Sequence, residues 1–143
     1  MIIKTRHTGL VVKDIGRSIQ FYKSLGLEVW KREIESGYFI SQVVGISNAE
    51  IETAKLKVSD NSMLELLEYK SHPSKAHKQI YPSNYHGCSH VAFSVTDIDE
   101  IYKNLESIGG KLVNSPEISD NGLFKVMYCH DPDGILIEMV EEL

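Results

Sequence analysis

The chain has 143 residues, of which 42% are apolar and 24% charged, the size and balance of one ordinary globular domain with its own core. A net charge of −5 argues against a nucleic-acid backbone or an anionic membrane surface as partner, and no apolar run approaches the roughly 18 residues that span a bilayer. Cys88 and Cys129 make no disulfide framework, and the segment before His7 is too short for a signal peptide, so a reduced, cytoplasmic setting is expected.

In chain order, residues 1–13 predict a strand in which Thr8, Leu10 and Val12 alternate with His7, Gly9 and Val11, turning the histidine away from the larger apolar side chains. Asp14 is a natural N-cap, and Ile15, Ile19, Tyr22 and Leu25 follow at helical spacing until Gly26. Residues 27–35 predict a strand and residues 37–46 a short helix ending at Gly45. Residues 51–58 and 63–69 predict a hairpin around the turn Ser59-Asp60-Asn61-Ser62. Residues 70–86 are polar and carry Pro73 and Pro82. They read as a linker with one helical turn around residues 75–80.

The second half opens with a strand at residues 90–95. Asp97 then caps a helix with Glu100 at the capping-box position, and Ile98, Ile101, Tyr102, Leu105 and Ile108 form its apolar face up to Gly109-Gly110. Residues 111–114 predict a short strand, 115–122 a polar loop, 123–129 a strand, Asp131-Pro132-Asp133-Gly134 a turn, and 135–141 the last strand. Each half therefore reads βαβββ, module 1 over residues 1–70 and module 2 over residues 87–143, together forming one α+β domain. The architecture expected is a curved, mostly antiparallel sheet cup with the helices outside.

The halves also repeat in detail. His7 opens HTGLVVKD and His90 opens HVAFSVTD; near the end of each half, LELLE around Glu65 echoes IEMVE around Glu138. If His7, Glu65, His90 and Glu138 face a shared cup, their strand neighbours must face the helices and be apolar. Leu64, Leu66, Val91, Ile137 and Met139 satisfy this, and Thr8 alone does not. A glutamate between two large apolar residues is costly to bury unless it is paired or ligates a cation. Two imidazoles and two carboxylates suit one divalent metal, and zinc, nickel, cobalt, iron and manganese all accept such ligands, with geometry deciding among them. Such a centre can polarise a carbonyl or hold an enediolate while Glu138 or Glu65 moves a proton.

At these residues the chain resembles the vicinal oxygen chelate superfamily, which includes glyoxalase I, methylmalonyl-CoA epimerase, extradiol dioxygenases and fosfomycin- or bleomycin-resistance proteins. HTGLVVKDIGRSIQFYKSLGLEV, MLELLEY, GCSHVAFSV and HDPDGILIEMVEE carry the resemblance, which extends over essentially the whole chain. It implies metal ligands at His7, Glu65, His90 and Glu138. An acid at Glu65 favours the isomerase and lyase branch over members that use three ligands. Val11 and Tyr69 stand where glyoxalase I has the arginine and asparagine that grip glutathione, so the resemblance implies the metal set without that grip. The function implied is a metal-dependent lyase or isomerase acting on a small oxygenated substrate. The alternatives are an extradiol-type dioxygenase and a non-enzymatic drug-binding protein. The resemblance, like the open sheet edges, also implies a homodimer.

Other residues read as structural. Glu68 and Glu141 fall on the face opposite Glu65 and Glu138 and are expected to be surface or edge charges. Cys88 is expected as a small buried filler and His130 as exposed; His72, His77 and His86 are expected to be solvated linker residues. The stripe from Phe39 to Val44 suits either a pocket wall or a core face.

Overall fold

The computed structural model describes residues 1–75 and 83–143. The helical turn expected around residues 75–80, together with His77, falls on residues 76–82 and lies outside the described residues. The chain divides into two compact units, Met1–Lys75 and Ala76–Leu143. No helix among the described residues is long and apolar enough to cross a membrane.

The first unit runs β1 (Thr8–Val11), α1 (Ile15–Ser24), β2 (Glu28–Ser36), α2 (Tyr38–Val44), β3 (Glu50–Lys57) and β4 (Met63–Tyr69). Its strands lie in the order β1-β4-β3-β2, with β1 parallel to β4 and the other pairs antiparallel. Strand alternation divides the sheet. Leu10, Ala54, Leu56, Leu64 and Leu66 are buried on the side where α1 packs, where Ile15, Ile19 and Tyr22 are buried as well. The other side carries Gly9, Lys55 and Glu65. The helix α2 forms as expected and closes on Gly45 in the left-handed region, at φ 69°, where glycine avoids the Cβ penalty. Its stripe does not enter the core: Tyr38, Phe39 and Val43 are exposed, and Ser41 is its buried residue.

The first strand is shorter than the alternation suggests. Its partner β4 begins only at Met63, after the turn that holds Asn61 at φ 67°, and pairing starts at Thr8 opposite Leu64. Residues 1–7 therefore pair with no strand among the described residues and are exposed.

The second unit runs β5 (Val91–Ser94), α3 (Ile98–Asn104), a 3-10 turn (Leu105–Ile108), β6 (Lys111–Leu112), β7 (Glu117–Ile118), β8 (Phe124–His130) and β9 (Leu136–Glu142). The sheet order is β5-β9-β8-β6, and β7 also pairs with β8. The loop expected at residues 115–122 thus contains a short strand. Strands β6 and β7 both lie along β8, at Cys129–His130 and at Lys125–Val126, so together they fill the edge position that β2 holds alone in the first unit. The two units share one mixed-sheet plan, an α+β fold with the first strand of each unit parallel to its last.

Candidate metal centre

His7 precedes β1 by one residue and His90 precedes β5 by one residue. The parallel pairs that follow have matching registers: Thr8 lies opposite Leu64, and Val91 lies opposite Ile137. Each histidine is thereby brought to the glutamate one position further along the partner strand. His7 Nε2 lies 3.0 Å from Glu65 Oε2, and His90 Nε2 lies 3.0 Å from Glu138 Oε2. The apolar flanks behave as alternation requires, with Leu64, Leu66, Ile137 and Met139 buried on the helix side. Each unit thus builds one His/Glu pair. Among the described residues neither unit by itself gathers three or more side chains of the metal-binding types.

The surroundings of the two pairs differ. Glu65 is itself buried, and Lys55, directly opposite it on β3, places Nζ 3.5 Å from Glu65 Oε1. Tyr128 occupies the matching place on β8, opposite Glu138. Its ring meets His90 edge to face at 5.3 Å, and Ser89 Oγ lies 3.1 Å from His90 Nδ1, so the imidazole is held from two sides. Burial, and then the charge of Glu138, push the Tyr128 hydroxyl above its ordinary value.

A family model described as the glyoxalase/bleomycin resistance protein/dioxygenase superfamily matches residues 4–139. The chain belongs to that superfamily. Within it, the chain is 31% identical to a lactoylglutathione lyase of Pseudomonas aeruginosa, over 94% of this chain and 80% of that one. It is 30% identical to a probable lactoylglutathione lyase of Synechocystis, over 94% and 92%. Among solved structures, a glyoxalase family protein of Bacillus cereus superposes with a TM-score of 0.92 at 28% identity, covering 100% of this chain and 96% of that one.

For a superfamily member, the surroundings of the pairs correct several sequence readings. Glu68 and Glu141 are not surface charges. Glu68 Oε2 accepts the backbone N–H of Ile15 at 2.8 Å, and Glu141 accepts those of Asp97 at 2.6 Å and Ile98 at 3.4 Å. Each therefore caps the first helix of its own unit, because the third residue after a cup-facing glutamate points to the helix side. Asp97 does not act as the expected N-cap. It sits in the left-handed region at φ 54° with no side-chain capping bond, and Glu141 takes over the free N–H groups. The counterpart Asp14 does cap, accepting the N–H of Arg17 at 2.9 Å, and this bond lowers its carboxyl below 3.8.

Cys88 is exposed rather than a buried filler, since it lies just before β5 and outside either sheet. His130 is buried rather than exposed: β8 extends through it, and it pairs with Leu136 on β9. Burial, with Lys111 nearby, holds its imidazole below 6.5 despite Asp131. His72 and His86 are exposed, in keeping with solvated residues. Asp131 is turn chemistry as expected, its Oδ1 accepting the N–H groups of Asp133 and Ile135, each at 2.9 Å. Val11 is exposed on β1, and Tyr69 ends β4 opposite Ile51. Lys55 and Tyr128 went unread in the sequence. Their signal is their placement opposite the two glutamates, and it appears only once the hairpin registers are known.

Proposed function

We propose that His7, Glu65, His90 and Glu138 together hold one divalent metal, and that the chain is a glyoxalase-like lyase or isomerase. The observation that carries this reading is the duplicated His/Glu pair. Ligand atoms on adjacent corners of an octahedron with bonds of about 2.1 Å stand about 3.0 Å apart. The two Nε2–Oε2 separations of 3.0 Å fit that edge. The donor set fits as well, since imidazole and carboxylate suit zinc, nickel and cobalt, and admit iron and manganese.

When bound, such an ion supplies Lewis acidity toward two neighbouring substrate oxygens. The rest belongs to the chain. Glu138, the more exposed of the two carboxylates, takes the proton from the carbon beside the substrate carbonyl and returns it to the neighbouring carbon; Glu65 is the second candidate base. Ser89 and Tyr128 keep the His90 ring oriented.

The relatives named lactoylglutathione lyase support the reaction class. Val11 offers no donor on β1, and Tyr69 is a phenol where an amide would be needed, so the substrate in this reading is a small oxygenated carbonyl compound other than a glutathione adduct. A homodimer in a reduced cytoplasm belongs to the same reading.

The test is elemental analysis of protein purified without added metal, wild type beside a His7→Ala/Glu138→Ala double variant, with a Glu138→Gln variant assayed for turnover. Near-stoichiometric metal in the wild type, its loss in the double variant and a loss of turnover of at least about 100-fold in Glu138→Gln are expected. Equal metal in wild type and double variant, or full turnover in Glu138→Gln, would sink the assignment.

A further inference from the structure

Lys55 is the charged residue that sets the two glutamates apart. It projects from β3 on the face of Glu65, directly opposite it, with its ammonium 3.5 Å from Oε1 and its side chain 28% exposed. The second unit puts an uncharged phenol, Tyr128, at the matching place. The Glu65 carboxylate meets His7 on Oε2 and Lys55 on Oε1.

A cation bound by His7 and Glu65 takes up that carboxylate charge, and the Lys55 ammonium then faces another positive centre across the carboxylate. Two neutral imidazoles and two carboxylates balance a dication, so Lys55 leaves the centre one unit positive. The Glu65 carboxylate between the two cations is already counted in that balance, and on a partly buried surface the unit left over is offset only by a further anion. The missing charge is therefore expected from the substrate.

Resting on the metal reading above, we propose that Lys55 is an anion-binding residue of the site: it receives an oxyanion of the substrate, a carboxylate or a phosphonate, beside the chelating oxygens. Lys55 is then a specificity-determining residue that favours acidic substrates over neutral aldehydes or ketones.

The test uses the purified protein loaded with Co2+, whose visible spectrum reports ligands. Oxalate and methylphosphonate are titrated separately into wild type, Lys55→Gln and Lys55→Arg. Losing a charge-assisted contact weakens anion binding by about tenfold or more. Lys55→Gln is expected to bind Co2+ more tightly than wild type, because a repelling cation is gone, and to bind the anions at least about tenfold more weakly. Lys55→Arg is expected to retain anion binding.

The anion that binds wild type more tightly assigns the carboxylate or the phosphonate class. Unchanged anion binding in a Co2+-loaded Lys55→Gln overturns the proposal and leaves the metal reading standing. Absence of anion binding to loaded wild type does the same, and so does a Lys55→Gln that holds Co2+ less tightly. Failure of wild type to bind Co2+ at all overturns both.

Discussion

The Glu68 carboxylate accepts the backbone N–H of Ile15 at 2.8 Å across an interval of 53 residues. It satisfies a donor that the start of α1 leaves free, while Asp14 satisfies the N–H of Arg17. Glu141 does the same for Asp97 and Ile98 at α3. Glu68→Ala and Glu141→Ala are each expected to cost about 1 kcal/mol of stability, the usual cost of losing a helix cap. Chemical denaturation is the check. Metal content is expected to stay at the wild-type level, since neither carboxylate faces the proposed site.

The same glutamate ends a chain of ion pairs on the helix side. Glu52 takes Arg32 Nε at 2.7 Å and Lys70 Nζ at 2.8 Å, and Lys70 reaches Glu68 at 2.7 Å. The Lys70 hydrogen bond, with Arg32 adding to it and burial opposing, holds the Glu52 carboxyl below its ordinary 4.5. A carboxylate depressed in the folded state stabilises it above pH 4.5, and that stability is lost as pH falls through the lowered value. Glu52→Gln is expected to be less stable than wild type at pH 7, by a margin that shrinks as pH falls below 4.5. Urea denaturation midpoints followed downward from pH 7 decide it.

The two thiols are expected to separate cleanly. Cys129 is buried in β8, and burial, followed by the nearby Asp131 charge, pushes its thiol up to about 12. Cys88 is exposed. Iodoacetamide at neutral pH is expected to modify Cys88 in the native protein and Cys129 only after denaturation, as read by peptide mass mapping.

His130 supplies an acid-sensitive term. Its Nδ1 is buried without a partner among the described residues, and burial lowers its pKa from 6.5. The unfolded chain therefore takes up the proton first as pH falls below 6.5, and folded-state stability declines until the lowered value is passed. His130→Phe removes both the titration and the unpaired nitrogen. It is expected to flatten the fall in thermal midpoint below pH 6.5 and to match or exceed wild-type stability at pH 7.

Much of the fold was legible because period-two alternation survives in single strands. Met63–Tyr69 stands where the pattern put it, and the four flanks of Glu65 and Glu138 are buried as apolar strand neighbours should be. What could not be read depends on partners distant in sequence. Glu68 looked like an edge charge because Ile15 is far away along the chain. Asp97 looked like a cap because a left-handed backbone carries no mark in an aspartate codon. His130 looked exposed because the turn begins at Asp131, whereas the ladder to β9 continues through it. The His/Glu pairs were legible only as an echo, and their contacts follow from the parallel register, which no local pattern specifies.

The interval between Glu65 and Glu68 has a consequence for how this segment can change. One carboxylate meets the His7 imidazole and the other holds down a helix, and they stay on opposite faces only because the interval is odd. Losing or gaining one residue between them would turn both onto a single face, leaving either the imidazole or the helix start without its acid. Loss or gain of two residues would keep the division. The same parity separates Glu138 from Glu141. Surviving length variants of these strands should therefore differ by even numbers between the two acids, whatever happens in the turns outside them.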